Sequence, residues 1–242
     1  MANTHSLDLE ASSSQYAYIT DANQTGLDIT GDISMEAWVN LESLTNQANV
    51  INKYNYGTNN RSYYLGIAAD GKLVAGYSDD GTSSTHVTSF TSNAVHVSTG
   101  QWFHIAVTID VSAKTAIFYV NGAAVTSNYI SGNATSIFNG AADFSLGCQF
   151  GTGSTPVSFL DGKIDEARVW NDIRTANEIE QNFHKELVGN EANLQGYWKL
   201  NNDYTDETSN GNDLTASGSP VFSTDVPFVG RSAVMDLTSK SW

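Results

Sequence analysis

The chain predicts an all-β fold, a two-sheet antiparallel sandwich with one short helix. Three observations carry this reading. Segments rich in Ile, Val, Tyr and Thr recur between Gly, Asn and Asp turns over most of the 242 residues, two dipeptides suit tight hairpins, and helical spacing occurs in one stretch.

Taken in order, the elements justify themselves locally. In YYLGIAADGKLVAGYS the pair Asp70-Gly71, and in TAIFYVNGAAVTS the pair Asn121-Gly122, tolerate φ > 0 and so suit the two-residue turns that match strand twist. From Trp102, WFHIAVTID runs through VSAK into TAIFYV, so 102–127 reads as a three-stranded meander with mostly apolar core strands. Thr175 opens a capping box with Glu178, and Ile179, Phe183 and Leu187 follow at four-residue spacing, which predicts a short amphipathic helix against the sandwich. After GYWKL the chain becomes polar in DETSNGNDLTASGSP. Residues 1–190 are read as the sandwich, 191–230 as a C-terminal segment packed on it, and 231–242 as a tail. In that tail SAVMDLTSKSW can be laid over HSLDLEASSSQY, Met235, Asp236 and Leu237 matching Leu7, Asp8 and Leu9. It therefore reads as the start of a second copy, in a larger multidomain protein.

Composition excludes several function classes. The length suffices to bury a core without disulfides, and the lone Cys148, in strand-like FSLGCQF, reads as a small buried hydrophobe. With 26 acidic against 11 basic side chains and a net charge of −15, the surface repels nucleic acid and anionic membranes. No apolar run approaches the roughly 20 residues of a membrane span. The start, MANTHSLDLE, has neither the basic nor the apolar region of a secretion signal, so the cellular address is inferred rather than read.

Seven features occur in one order: LDLEASSSQYAYI, ISMEAWVN, VINKY, GQWFHIAVTID, FYVNG, GKIDEARVWNDIRTANEI, and LQGYWKL with DETSNGND. Together they resemble the laminin-G-like, concanavalin-A-like jelly-roll family of bacterial and extracellular proteins, over nearly the whole chain. That resemblance implies a jelly-roll sandwich and an extracellular or cell-surface location. Function stays open, since the same sandwich hosts lectins, adhesion modules, glycosidases, lyases and spacers.

The adjacent Asp165 and Glu166 interrupt an apolar strand. Alternation places Asp165 with Ala167 and Val169, and Glu166 with Arg168 and Trp170, so Glu166 reads as an ion pair with Arg168 or a solvated surface group. A buried Asp165 must be paired, hydrogen-bonded or metal-bound. The resemblance implies a structural Ca2+ at Asp165, with Asp8 or Glu10 of the N-terminal strand as partners; the other reading is a hydrogen-bonded Asp that anchors the N-terminal segment. Asp79 and Asp80, and Asp203, Asp206 and Asp213, have calcium-loop composition without EF-hand spacing, and turn chemistry explains them as well.

No catalytic set is evident. The sequence lacks E-x-D-x-x-E, H-E-x-x-H and G-x-S-x-G, and Glu36 in SMEAWV reads as an edge or outward residue beside Trp38. A binding site has better support. Lectin sites combine aromatic faces with amides and charged groups on loops. The segment 52–64 supplies Tyr54, Asn55, Tyr56, Asn59 and Arg61, and GCQFGTGSTPVSF supplies Gln149 and Phe150. The leading expectation is a non-catalytic, calcium-containing glycan-binding module. A structural or protein-adhesion module comes next, then a divergent hydrolase or lyase.

Overall fold

The structure is a computed structural model that describes residues 3–82 and 84–228. The predicted tail, 231–242, lies outside the described residues.

Two antiparallel sheets face each other across one apolar core. Among the described residues the first has eight strands. Its order is Ala123–Val125, Thr115–Val120, Phe103–Asp110, Ile33–Leu41, Gly162–Trp170, Ser6–Leu9 and Val221–Ser223, with Leu194–Trp198 also paired to Gly162–Trp170. The second has ten. Ser127–Ser131, Val87–Ser92, Leu73–Gly81, Asn60–Ile67, Ala48–Asn55, Phe144–Leu146, Tyr16–Ile19 and Thr215–Ser217 run side by side, and the short Gln149–Phe150 and Pro156–Val157 join beside Asn55. This is the sandwich the turn and strand pattern predicts. Between the sheets alternate residues of each strand are buried, including Met35, Ala37, Val39, Leu65, Ile67, Ile105 and Val107. Phe144 of one sheet stacks on Trp198 of the other at 4.8 Å.

The predicted meander is present, and its last turn is the two-residue hairpin expected. Asn121 and Gly122 both have positive φ, 48° and 80°, between the paired Val120 and Ala123. The other hairpin differs. Ala68 donates to Lys72 O and Gly71 to Ala68 O, so Asp70-Gly71 lies in a three-residue loop with Gly71 at φ 85°. After Val125 the chain crosses to the second sheet, where Ser127–Ser131 pairs with Val87–Ser92.

The helix spans Ala176–Asn182 and carries the capping box: Glu178 N donates to Thr175 Oγ1 at 3.3 Å, and Thr175 N to Glu178 Oε2 at 2.8 Å. Helical spacing suggests a longer helix, through Leu187. It stops earlier because buried donors capture the next carbonyls: Arg168 takes those of Asn182 and Lys185, and the Trp38 indole takes that of Phe183. The segment after residue 190 contributes Leu194–Trp198 and Val221–Ser223 to the first sheet and Thr215–Ser217 to the second. Between them Asp206 accepts from Tyr197 N, Thr208 N, Thr208 Oγ1 and Asn212 N, and Asp203 and Asp213 accept from Thr205 N and Asp206 N. These acids make turns.

Candidate functional site: an aromatic depression on the second sheet

On the outer face of the second sheet is a depression of about 370 Å³, within the range of about 300–1,000 Å³ typical of ligand pockets. Tyr54, Tyr56, Tyr64 and Arg61 line it, together with Gln47, Gln149, Val87 and Ser89. Strand alternation builds it. Tyr63 points inward and donates from its hydroxyl to Leu27 O, so Tyr64 points outward; Thr88 and Phe90 are buried, leaving Val87 and Ser89 outside. The Tyr54 and Tyr64 rings meet edge to face, 5.2 Å apart at 73°. Gly76, the strand partner of Tyr64, leaves room for that ring. A Cβ there would lie 2.8 Å from Tyr64 Cε1 and 2.7 Å from Thr88 O.

Arg61 pairs across the strands with Tyr54, its guanidinium carbon 5.9 Å from the Tyr54 ring centroid. It donates to Asn59 Oδ1 and Gly81 O, both at 2.9 Å, and to Tyr56 O at 2.8 Å. Burial pushes the Tyr54 hydroxyl up to about 12 and raises Tyr64 as well, with Ser89 beside Tyr64 acting the other way. Both phenols therefore stay neutral near pH 7 and present O–H groups beside flat apolar faces.

The two predicted loops converge. Phe150 bridges Asn55 in parallel, Tyr56 N donates to Phe150 O at 3.1 Å, and Asn55 Nδ2 donates to Ser154 Oγ at 2.9 Å. Glycine at both contact points permits it: a Cβ on Gly57 would lie 2.2 Å from Gly151 O, and one on Gly151 would lie 2.6 Å from Tyr56 Oη. Of the residues chosen from the sequence, Tyr54, Tyr56, Arg61 and Gln149 line the depression. The other three support it. Asn55 is buried and holds Gly57 N and Thr58 N in a turn, Phe150 is buried edge-on to Tyr16, and exposed Asn59 positions Arg61. Sequence reading missed Gln47, Tyr64, Val87 and Ser89. Gly76 in mid-strand was the available signal, because an interior strand glycine often marks a close approach.

The acids expected to hold calcium lie in two places. Ser6–Leu9 pairs with Gly162–Ile164 and Leu194–Trp198 pairs with Ala167–Trp170, so Asp165 and Glu166 lie where the strand changes partner. A bulge there puts two residues opposite Ala37, with Glu166 in the left-handed region at φ 52°. It also corrects the simple alternation. Ile164, Ala167 and Val169 share the core, while Asp165 lies on the other side, near Glu166 and Arg168. Asp165 is fully buried and accepts from Asn3 Nδ2 at 2.7 Å and from Glu166 N at 2.9 Å. The bond from Asn3 ties this strand to the N-terminal segment. Burial, together with the Glu166 charge, raises its pKa well above the ordinary carboxylate value.

Asp8 and Glu10 lie in a separate acidic group with Glu42 and Asp161 around Lys163. Calcium takes six to eight oxygens, and the Asp165, Asp8 and Glu10 carboxylates do not bring three ligand atoms within 4.8 Å of one another. Among the described residues, the one group of three with ligand atoms close together is Asp79, Asp80 and His86, within 4.8 Å. Its contacts are those of a turn and an ion pair: Thr82 N and Oγ1 donate to Asp80, and His86 Nδ1 lies 2.9 Å from Asp79 Oδ1.

Glu166 does pair with Arg168, at 2.7 Å, but both side chains are buried rather than solvated. Glu36 is likewise buried in a central strand, not at an edge. It faces Arg168 at 3.4 Å, His104 Nε2 at 2.9 Å and the Trp170 indole at 3.2 Å. Burial alone would raise its pKa, yet Arg168 and His104 hold it at about 2. A carboxylate so fixed does not donate protons near neutral pH.

A family model described as the concanavalin A-like lectin/glucanases superfamily (Laminin_G_3) matches residues 11–180. The chain belongs to this family. Among solved structures, a Bacteroides ovatus protein described as a candidate carbohydrate-binding protein superposes on this sandwich with a TM-score of 0.67 at 17% identity, over 95% of this chain and 62% of that one. The present chain therefore spans less than two thirds of that neighbour. The SAP-like pentraxin of Limulus polyphemus superposes with a TM-score of 0.54 at 11% identity, over 86% and 87% of the two chains. The CBM40 of the Ruminococcus gnavus IT-sialidase, bound to α2,3 sialyllactose, gives 0.55 at 14% identity, over 73% and 95%. At these identities the likeness is one of fold. A search of curated proteins finds no match. Among the described residues no helix is long and apolar enough to cross a membrane.

Proposed function

We propose that this chain is a non-catalytic glycan-binding module of an extracellular or cell-surface protein, with the depression on its second sheet as the sugar site. The observation that carries the reading is the convergence of three tyrosines, two side-chain amides and one guanidinium in a single depression. Phenol rings pack on sugar C–H faces, while amides and the guanidinium hydrogen-bond hydroxyls. Another depression, about 490 Å³ between Thr4, Lys199, Asn202 and Glu207, has no tyrosine, tryptophan or phenylalanine in its wall. The family and the carbohydrate-binding neighbours support the same reading.

The test is a glycan and polysaccharide array probed with the wild type, Tyr54→Ala and Tyr64→Ala, in calcium and in EDTA. Specific binding that falls about tenfold or more in both variants is the expected result, since one aromatic contact of about 1.4 kcal/mol is worth that factor. The EDTA arm tests the expected calcium: binding that persists in EDTA would mean that recognition does not need the ion. Loss of binding in EDTA by a folded protein would instead point to Asp79, Asp80 and His86. A silent array would favour the second reading, a protein-adhesion module. One feature supports that alternative: the edge strand Ser127–Ser131 exposes Tyr129 at 51% and Ile130 at 55%.

A further inference from the structure

We infer that the ligand of the depression is an acidic saccharide whose carboxylate or sulfate lies against Arg61; this rests on the glycan-binding reading and adds the charge of the ligand. In this acidic chain Lys53, Lys72, Lys163, Arg168, Arg174 and Lys199 each form an ion pair with a carboxylate. Arg61 is only 8% exposed and forms none among the described residues. Its acceptors, Asn59 Oδ1, Gly81 O and Tyr56 O, satisfy hydrogen bonds but supply no negative charge. The carboxylate in electrostatic reach, Asp80, is itself exposed and shared with Thr82 and His86.

A buried charge is unfavourable without a counter-charge, and a guanidinium has five N–H donors; these acceptors use three and the Tyr54 hydroxyl, also hydrogen-bonded to Arg61, a fourth. Arg61 lines the depression with donor capacity left over. An anionic group there would complete both the hydrogen bonding and the charge balance. The neighbouring Tyr54 and Tyr64 rings would receive the sugar body, and Gln47 and Gln149 its hydroxyls. A local cation is also what an acidic ligand needs to overcome the long-range repulsion of a chain with net charge −15.

The experiment is isothermal titration with matched saccharides: lactose against sialyllactose and sulfated lactose, and galactotetraose against tetragalacturonate. The expected result is at least about tenfold tighter binding of an acidic member than of its neutral partner, a gap of about 1.4 kcal/mol. The preference should collapse in Arg61→Gln and survive in Arg61→Lys, while Tyr64→Ala weakens neutral and acidic sugars alike. The carboxylated and sulfated arms say which anion is held. Because Arg61 also fastens its loop, melting curves accompany every variant, and the wild-type ratio stands independently of them. Neutral sugars bound as tightly as acidic ones, or a preference that survives Arg61→Gln, would overturn the inference and leave the glycan reading intact. Binding of no saccharide on an array covering both classes would overturn the two together.

Discussion

Asp165 shows how one buried carboxyl takes its role from its neighbours. It lies where strand partners change, and Asn3 and the Glu166 amide fill its oxygens. Its folded pKa is raised above the unfolded value of 3.8, so the folded state holds this proton more tightly than the unfolded chain. The group therefore costs stability as pH rises from the unfolded value through the raised folded one. In Asp165→Asn this cost is absent. The melting temperature of Asp165→Asn relative to wild type should thus climb as pH is raised from acid towards neutral, in EDTA. A gap that stays constant or shrinks would show that a cation, bound or nearby, keeps Asp165 ionised. The sequence made Asp165 and Glu166 conspicuous, but the bulge that separates their surroundings was not readable, because one extra residue in a strand leaves no composition signal.

At the scale of elements, local chemistry was legible where it acts alone. The Asn121-Gly122 turn and the Thr175–Glu178 capping box appear as written. Where distant groups compete for backbone atoms, it was not. Arg168 and Trp38 withdraw the carbonyls that would have extended the helix to Leu187. The site follows the same division. Tyr54, Tyr56, Arg61 and Gln149 were visible as residue types, whereas Tyr64 joins them only because Gly76 clears its ring. Gly76→Ala is predicted to lower stability by about 1–3 kcal/mol, as overpacking does, and by less in a Tyr64→Ala background. Denaturant unfolding of the four proteins of this double-mutant cycle measures the coupling. Strict additivity would mean that Tyr64 does not occupy the space beside Gly76.

Across the whole molecule, sheet order brings the pieces together. Gln149 lies about ninety residues after Tyr56 in sequence, yet Gln149–Phe150 joins the edge at Asn55 and adds Gln149 to the lining of the depression. The C-terminal segment is woven in just as tightly. Trp198 is fully buried against Phe144, and strands after residue 190 enter both sheets. A chain cut after residue 190 is therefore predicted to lose its cooperative thermal transition, although the family match ends at residue 180. A truncated protein that melts cooperatively near the wild-type temperature would contradict this account of the core. One prediction reaches across all three scales, because it needs the tyrosines, the two loops and the sheet face at once. It is tested most directly by amide chemical-shift mapping of the whole chain, titrated with the tightest-binding saccharide from the array. The account predicts shifts concentrated at residues 47–64, 87–89 and 149–157; saturable shifts centred on the Thr4–Lys199 depression or the Ser127–Ser131 edge would contradict it.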